Sequence, residues 1–273
     1  MADSVKLYQT RSGPMMALST DQYVGRALEA YGEYCPAEWA MLRQIIKPGM
    51  NVIEAGANMG THSVDMARAC APGIFIGFEP QPRLFQILAG NLALNNIANA
   101  LAYPEGCGDA EGWAQMPWID YDRGGNFGGV SLREEDGQGV RVRVRTIDSF
   151  GLPQCGLIKI DVEGFEPRVI RGAAETIRRC RPVLYVENDR AAQQQEVIDL
   201  IAGFDYRMYW HIPPLFSADN FRKNPDNIFG RVHSINMLCV PRERNTTVEG
   251  QQEIDPANWT CPIRITGHLA EAT

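Results

Sequence analysis

Residues 51–60 read NVIEAGANMG, a short apolar run that ends in Glu54 and passes through Gly56 and Gly60 toward a helix-compatible segment. Apolar runs this short suit strands buried on both faces, and glycines let the backbone turn tightly at the strand's end. The pattern then repeats. Strands are expected over Asn51–Ala55, Ile74–Phe78, Ala98–Tyr103, Leu157–Ile160 and Val183–Val186, with Phe204–Trp210 and Ser234–Val240 as the last two. Helices are expected over Thr61–Ala71, Pro82–Asn95 and Pro167–Arg179. Short apolar strands alternating with helices imply βαβ units and an α/β fold with a largely parallel sheet.

Before this core, Asp21–Ile46 has Leu28, Trp39, Leu42, Ile45 and Ile46 near helical spacing and is closed by Pro48-Gly49, so residues 1–47 read as an N-terminal helical extension. The core domain is expected over 48–240, with an insertion at about 111–146 in which Trp113–Tyr121 and Val140–Arg145 pair around a glycine-rich loop. Arg141, Arg143 and Arg145 alternate with valines, which reads as the solvated face of a strand. Residues 241–273 are polar and proline-punctuated and read as an irregular tail, a candidate contact for a homodimer.

The chain's 273 residues suffice for a core without staples, and its 45% hydrophobic and 22% charged residues are an ordinary globular balance. A net charge of −7 argues against a nucleic-acid binder. No apolar run is long enough for a membrane span, and Met1–Thr10 lacks the features of a signal peptide. Seven cysteines without a C-x-x-C pair suit a reducing, cytoplasmic setting.

The loop Glu54–Gly60 admits two readings. It is a plain strand-to-helix turn, or it brings backbone close to a ligand at a helix N-terminus. A dinucleotide site wants G-x-G-x-x-G, and Asn58 stands where its second glycine would be. Glu79 decides between them: it ends the next strand, where nucleotide-binding α/β folds place a carboxylate for ribose hydroxyls. A glycine turn with a ribose carboxylate and no diphosphate fingerprint points to S-adenosylmethionine.

The strings VIEAGANMGTHS, FEPQPRLFQILAGNLALN, IKIDVEGFEPRVIRGA and RPVLYVEN, in this order over roughly residues 20–240, resemble the FkbM-type family of S-adenosylmethionine-dependent methyltransferases. The resemblance implies a class I methyltransferase fold, a Rossmann-like seven-stranded sheet with its last strand antiparallel. It implies O-methylation of sugars and secondary metabolites, with some members acting on nitrogen. By that similarity Glu54, Ala55, Gly56, Asn58, Gly60, Thr61 and His62 surround the methionine part, Glu79 and Pro80 the ribose, and Gly108 and Asp109 the adenine edge. The family more often has Asp where this chain has Glu54, which keeps the charge.

Two further strand ends present Asp161, Glu163, Glu187 and Asn188, an oxygen-rich cluster at the carboxyl edge where such sheets bind ligands. Catechol-type O-methyltransferases hold Mg²⁺ at similar strand ends, which makes Asp161, Glu187 and Asn188 candidate metal ligands. Without a metal, Asp161 or Glu163 could act as base, as could His211 at the end of the sixth strand. Glu166 reads as a helix cap, and His233 and His268 as ordinary residues. Asn126 and Phe127 in the glycine-rich loop, with Glu187, Asn188, Trp210 and His211, are candidate contacts for the acceptor. The expected activity is O-methylation of a small polar acceptor, such as a sugar unit of a glycan, lipid or natural product. Its alternatives are N-methylation of an amine, amide or peptide side chain and, more remotely, nicotinamide-dependent oxidoreduction.

Overall fold

The computed structural model describes residues 4–133 and 138–263. The last ten residues of the expected tail, His268 among them, and residues 134–137 of the insertion lie outside these. The chain begins with two strands, β1 (Val5–Thr10) and β2 (Gly13–Leu18), followed by α1 (Val24–Tyr31) and α2 (Pro36–Ile45). The core continues with β3 (Val52–Ala55), α3 (Ser63–Cys70), β4 (Phe75–Phe78), α4 (Pro82–Leu94) and β5 (Ala100–Tyr103). Next come β6 (Glu105–Cys107), β7 (Gly112–Met116) and β8 (Val140–Arg145). The second half holds β9 (Leu157–Ile160), α5 (Glu166–Gly172), α6 (Ala174–Cys180), β10 (Val183–Glu187), α7 (Gln194–Ala202), β11 (Tyr206–His211) and β12 (Asn236–Pro241).

The main sheet has the order β11-β12-β10-β9-β3-β4-β5. Five strands, β10 to β5 in that order, run parallel, while β12 lies antiparallel between β10 and β11. A reversed final strand slotted beside the sixth is the class I methyltransferase arrangement that the resemblance implied. The sheet is covered on both faces, which explains why its strands read as continuous apolar runs. Ile53, Ile158, Ile160, Leu184 and Val186 pack on one face against Val169, Ile170, Ile177 and Ile198 of α5, α6 and α7. On the other face Val52, Phe75, Leu157 and Val183 pack against Leu42 of α2 and Met66, Ala67 and Cys70 of α3. Truncating a fully buried residue such as Ile160 to Ala would cost about 2–5 kcal/mol.

Three expected elements differ. The N-terminal extension opens with the β1–β2 hairpin rather than a helix; β2 (GPMMAL) lacks clear polar alternation, so its sequence carries no strand period. The expected helical stretch Asp21–Ile46 breaks in two: Gly32 adopts the left-handed conformation that ends α1, and Pro36 starts α2 at a position where its missing N–H costs nothing. The helix expected over Pro167–Arg179 is also two, because Asp148 reaches in to accept hydrogen bonds from the backbone amides of Glu175 and Thr176, founding α6 separately.

The insertion forms a three-stranded sheet in which β8 pairs antiparallel with β7 as expected and parallel with β6. Arg143 reaches Glu111, Arg141 lies over Trp113, and Arg145 stacks on Phe150, in keeping with a surface role for that stripe. The tail is irregular, yet it runs beside β11: the Trp210 amide donates to the Gln252 carbonyl and the Ile254 amide to that of Met208.

Candidate active site

At the end of β3 the chain turns at Gly56, whose φ is +85°. A Cβ there would stand 1.7 Å from the Asp161 carbonyl oxygen on the neighbouring strand end, so only glycine fits. Asn58 is held left-handed at φ +50° and accepts the Met59 amide on its own side-chain oxygen at 2.7 Å. All five amides of residues 56–60 are used within the protein. Those of Gly56 and Ala57 donate to the Phe78 carbonyl, that of Gly60 to Ala57, that of Met59 to Asn58, and that of Asn58 to Glu79.

Glu79 ties this turn to the next strand. One carboxylate oxygen accepts the Asn58 amide and the other the Gln81 amide, each at 2.8 Å. The side chain is only 4% exposed, and burial raises its pKa to about 7 against the pull of those two amides. Each oxygen retains a lone pair for a further donor.

The floor of the cleft follows from strand register. On one face of the sheet, β3, β9 and β10 are apolar near their starts (Val52, Leu157, Val183) and polar near their ends. Glu54 lies beside Lys159, and Lys159 beside Tyr185, in neighbouring positions of three parallel strands. Lys159 Nζ sits 3.0 Å from Asp161, 3.6 Å from Glu38 and 3.7 Å from Glu54. Burial pulls the lysine's pKa down, and the three carboxylates more than reverse this, holding it above its ordinary value. Burial also raises Glu54 to about 7, although Lys159 and a hydrogen bond from Ser63 Oγ oppose it.

Glu38 comes from α2, carried into the cleft by the break between α1 and α2. It is 3% exposed, and its Oε1 stands 3.9 Å from His62 Nε2. Neither atom has a hydrogen-bond partner among the described residues. At the far side Arg190 pairs with Glu163, while burial and the neighbouring Asp161 raise the pKa of both Glu163 and Glu187.

These groups enclose a cavity of about 290 Å³. Of the residues singled out from sequence, Glu54, Gly56, Asn58, Thr61, His62, Glu79, Asn126, Asp161, Glu163 and Glu187 line it. Pro80 lines a side pocket of about 40 Å³ that shares Gly56, Glu79 and Asp161 with the cavity. Ala55 and Gly60 shape the turn from behind: the Ala55 carbonyl accepts the Asp161 amide, and Gly60 packs on Leu88.

Others lie elsewhere. Gly108 packs against Gly172 and Val144, and neither it nor Asp109 lines the side pocket, whose wall is Glu105, Gly106, Cys107 and Val162. β6 ends at Cys107, so Gly108 and Asp109 follow the strand. Phe127 is buried against Tyr121 beneath the loop, leaving Asn126, Gly128 and Gly129 on the cavity side. Trp210 packs on Trp259, and His211 is buried with Nδ1 bonded to the Tyr185 hydroxyl at 2.7 Å; neither lines the cavity. In the sheet β12 and β10 stand between β11 and β9, the strand that leads into Asp161.

The proposed metal set does not assemble. Asn188 is buried, and its amide donates to the Gln194 carbonyl and to Met237 Sδ. Asp161, Glu163 and Glu187 do bring oxygens within 4.8 Å of one another, but Lys159 and Arg190 already place cations on two of them. The donor set expected for Mg²⁺ therefore does not fit, and no step is routed through a metal.

Tyr34, Glu38, Lys159, Arg190 and the connection before β12, from Arg231 to Ile235, also line the cavity. Lys159 was visible in principle as a charge inside the apolar run LIKI. His233, read from sequence as ordinary, faces the cavity with Nδ1 donating to the Arg231 carbonyl at 2.7 Å. Glu38 comes from α2, and the remaining wall residues named here, Tyr34, Arg190 and those of 231–235, come from irregular segments with no local pattern.

The profile of the methyltransferase FkbM domain family matches residues 54–208, more than half of the chain. The chain belongs to that family. Among curated relatives, Methyltransferase 1 of Beauveria bassiana (strain ARSEF 2860) is 26% identical over 142 residues, covering 44% of this chain and 57% of that protein. Methyltransferase sdnD of Sordaria araneosa is 27% identical over 156 residues, covering 45% of this chain and 60% of that one. The match thus spans less than two thirds of the length of these curated relatives. Among solved structures, methyltransferase FkbM from Methylobacillus flagellatus KT aligns with a TM-score of 0.45 at 16% identity, over 74% of this chain and 50% of that one. Trm5b from Pyrococcus abyssi aligns with a TM-score of 0.49 at 10% identity, over 88% and 56%.

Proposed function

We propose that the protein transfers a methyl group from S-adenosylmethionine to a hydroxyl of a small polar acceptor. The observation that carries the cofactor reading is the closed hydrogen bonding of the glycine turn. A dinucleotide site leaves loop amides free for its diphosphate. Here residues 56–60 use all of theirs internally, while Glu79 keeps lone pairs toward the cavity for ribose hydroxyls. This favours a nucleoside without a diphosphate and counts against a nicotinamide cofactor.

When bound, S-adenosylmethionine supplies an activated methyl group on a cationic sulfur. The chain's own residues then have two tasks, to hold the acceptor in line and to remove its proton. Glu79 and the 56–60 turn would hold the nucleoside, with Pro80, Gly106, Cys107 and Val162 around the base. The carboxylates of Glu54 and Asp161 favour the cationic part. Asn126 and the segment 231–235 form the acceptor wall.

A second reading is N-methylation, in which a carboxylate of the Asp161–Glu163–Glu187 cluster would take the proton that an amine must lose before it accepts the methyl group. Seven unpaired thiols, five of them buried, support a reducing compartment such as the cytoplasm. Among the described residues no helix is long and apolar enough to cross a membrane.

The experiment is a calorimetric titration with S-adenosylhomocysteine, with NAD as comparator. Micromolar binding of the former alone is expected; preference for NAD, or binding of neither, would end the reading. Radiolabelled methyl transfer to panels of hydroxylated and amine acceptors then separates oxygen from nitrogen.

A further inference from the structure

Glu38 Oε1 and His62 Nε2 are both buried and both on the cavity wall; Glu38 Oε1 faces Lys159 Nζ at 3.6 Å, while His62 Nε2 has no hydrogen-bond partner among the described residues. Their separation of 3.9 Å is too long for a direct hydrogen bond, which leaves His62 Nε2 open to a donor from the cavity with the Glu38 carboxylate beside it. A buried polar atom without a partner is uncommon, and His62 Nε2 on the cavity wall marks a place where a ligand group completes the site.

A second feature concerns what lies behind them. Tyr34, Thr61 and His62 also line a neighbouring cavity of about 440 Å³, whose other walls include Arg11, Trp39, Arg43 and Asp65. Tyr34 and His62 form the partition, with ring centroids 6.0 Å apart. His62 thus has one cavity on each side.

We infer that Glu38 and His62 seat the group that is methylated, and that its proton passes to His62 Nε2 and leaves through the second cavity. The inference rests on the methyl-transfer reading above. The acceptor O–H bond breaks as the new O–CH₃ bond forms, and the sulfur keeps the electron pair of the bond it loses. His62 Nε2 takes the proton, and Glu38, 3.9 Å away, stabilises the imidazolium. The second cavity then lets water return the imidazole to its neutral state.

The surrounding charges agree with this. Burial is the largest influence on His62 and lowers its pKa, which keeps the ring neutral and ready for a proton. Glu38 from α2, Asp65 from α3 and Asp161 at the end of β9 act the other way, whereas Lys159 of β9 adds to the lowering.

The test needs no knowledge of the acceptor. Sinefungin carries an ammonium group where S-adenosylmethionine carries its methyl, and S-adenosylhomocysteine carries nothing there. The wild-type protein should prefer sinefungin. Glu38→Gln should reduce that preference about ten-fold, the scale of one charged hydrogen bond, while S-adenosylhomocysteine affinity stays within two-fold. In ¹³C-labelled protein the His62 ring should titrate at lower pH in Glu38→Gln than in wild type, and its resonance should move with sinefungin more than with S-adenosylhomocysteine. His62→Gln serves as the second variant, with folding checked by thermal melting.

Equal weakening of both ligands would mean that the pair holds the amino-acid end common to them, and would overturn the inference. No change in either would make the pair structural and would overturn it too. If wild type bound neither ligand, the cofactor reading itself would fall.

Discussion

The two ends of the cleft are built on opposite plans. At the glycine turn every backbone amide from 56 to 60 is bonded, and each oxygen of Glu79 carries one of the bonds that fix the loop. At the Glu38–His62 end, the buried His62 Nε2 has no hydrogen-bond partner among the described residues, and Glu38 Oε1 has only the Lys159 ion pair at 3.6 Å. The first end is finished before any ligand arrives, so binding there needs little reorganisation. The second is left incomplete, as suits a place where a proton changes hands. The contrast implies that changes at the turn damage stability and binding together, whereas changes at the other end alter selectivity and leave the fold in place.

The largest effect should come from Gly56→Ala. Its Cβ would collide with the Asp161 carbonyl in a backbone conformation that L-residues avoid. A loss of about 3 kcal/mol or more is expected in urea unfolding, with S-adenosylhomocysteine binding abolished. A stable variant that still binds would break the claim that the turn is closed.

Next is the pH dependence of stability. Burial raises Glu54 and Glu79 to about 7 from an ordinary 4.5. Between those values the native state keeps protons that the unfolded chain has released, so stability falls as pH rises from about 4.5 to 7 and levels off above. The cost is on the order of 3 kcal/mol per group at most. Urea unfolding at pH 5 and pH 8 reads it directly, and stability rising over this interval would contradict it.

Glu79→Ala comes third, weakening S-adenosylhomocysteine binding by about 1.5–3 kcal/mol as charged hydrogen bonds are lost. Unchanged affinity in a folded variant would remove Glu79 from the site. The smallest effect is expected from Tyr185→Phe, which frees His211 Nδ1 at a cost of about 1 kcal/mol in stability. Cofactor-analogue affinity should stay within two-fold. A large loss of affinity would return His211 to the site from which its position in β11 separates it.

The turn was legible because its parts are local. Strand, glycine turn and helix start lie within residues 52–63, and Glu79 ends the very next strand. The strands of the sheet were legible for the same reason, since each parallel strand announces itself as a short apolar run. The acceptor side was not. It joins Tyr34 and Glu38, Asn126, Arg190 and residues 231–235, which meet only when the whole chain has folded. Glu38 sat inside what read as one long amphipathic stretch, and only the break between Gly32 and Pro36 turns it inward. His211 erred the other way: it ends a strand at the right edge of the sheet, but β12 slots in between.

The pairing of residues 252–254 with β11 has a consequence for solubility. An outermost strand exposes a row of backbone donors and acceptors on which another chain can template itself. Here the Trp210 amide and the Met208 carbonyl are already taken by the tail, and Trp259 lies over Trp210. This late segment therefore shields one border of the sheet, and removing it would uncover a sticky margin, with self-association the expected result.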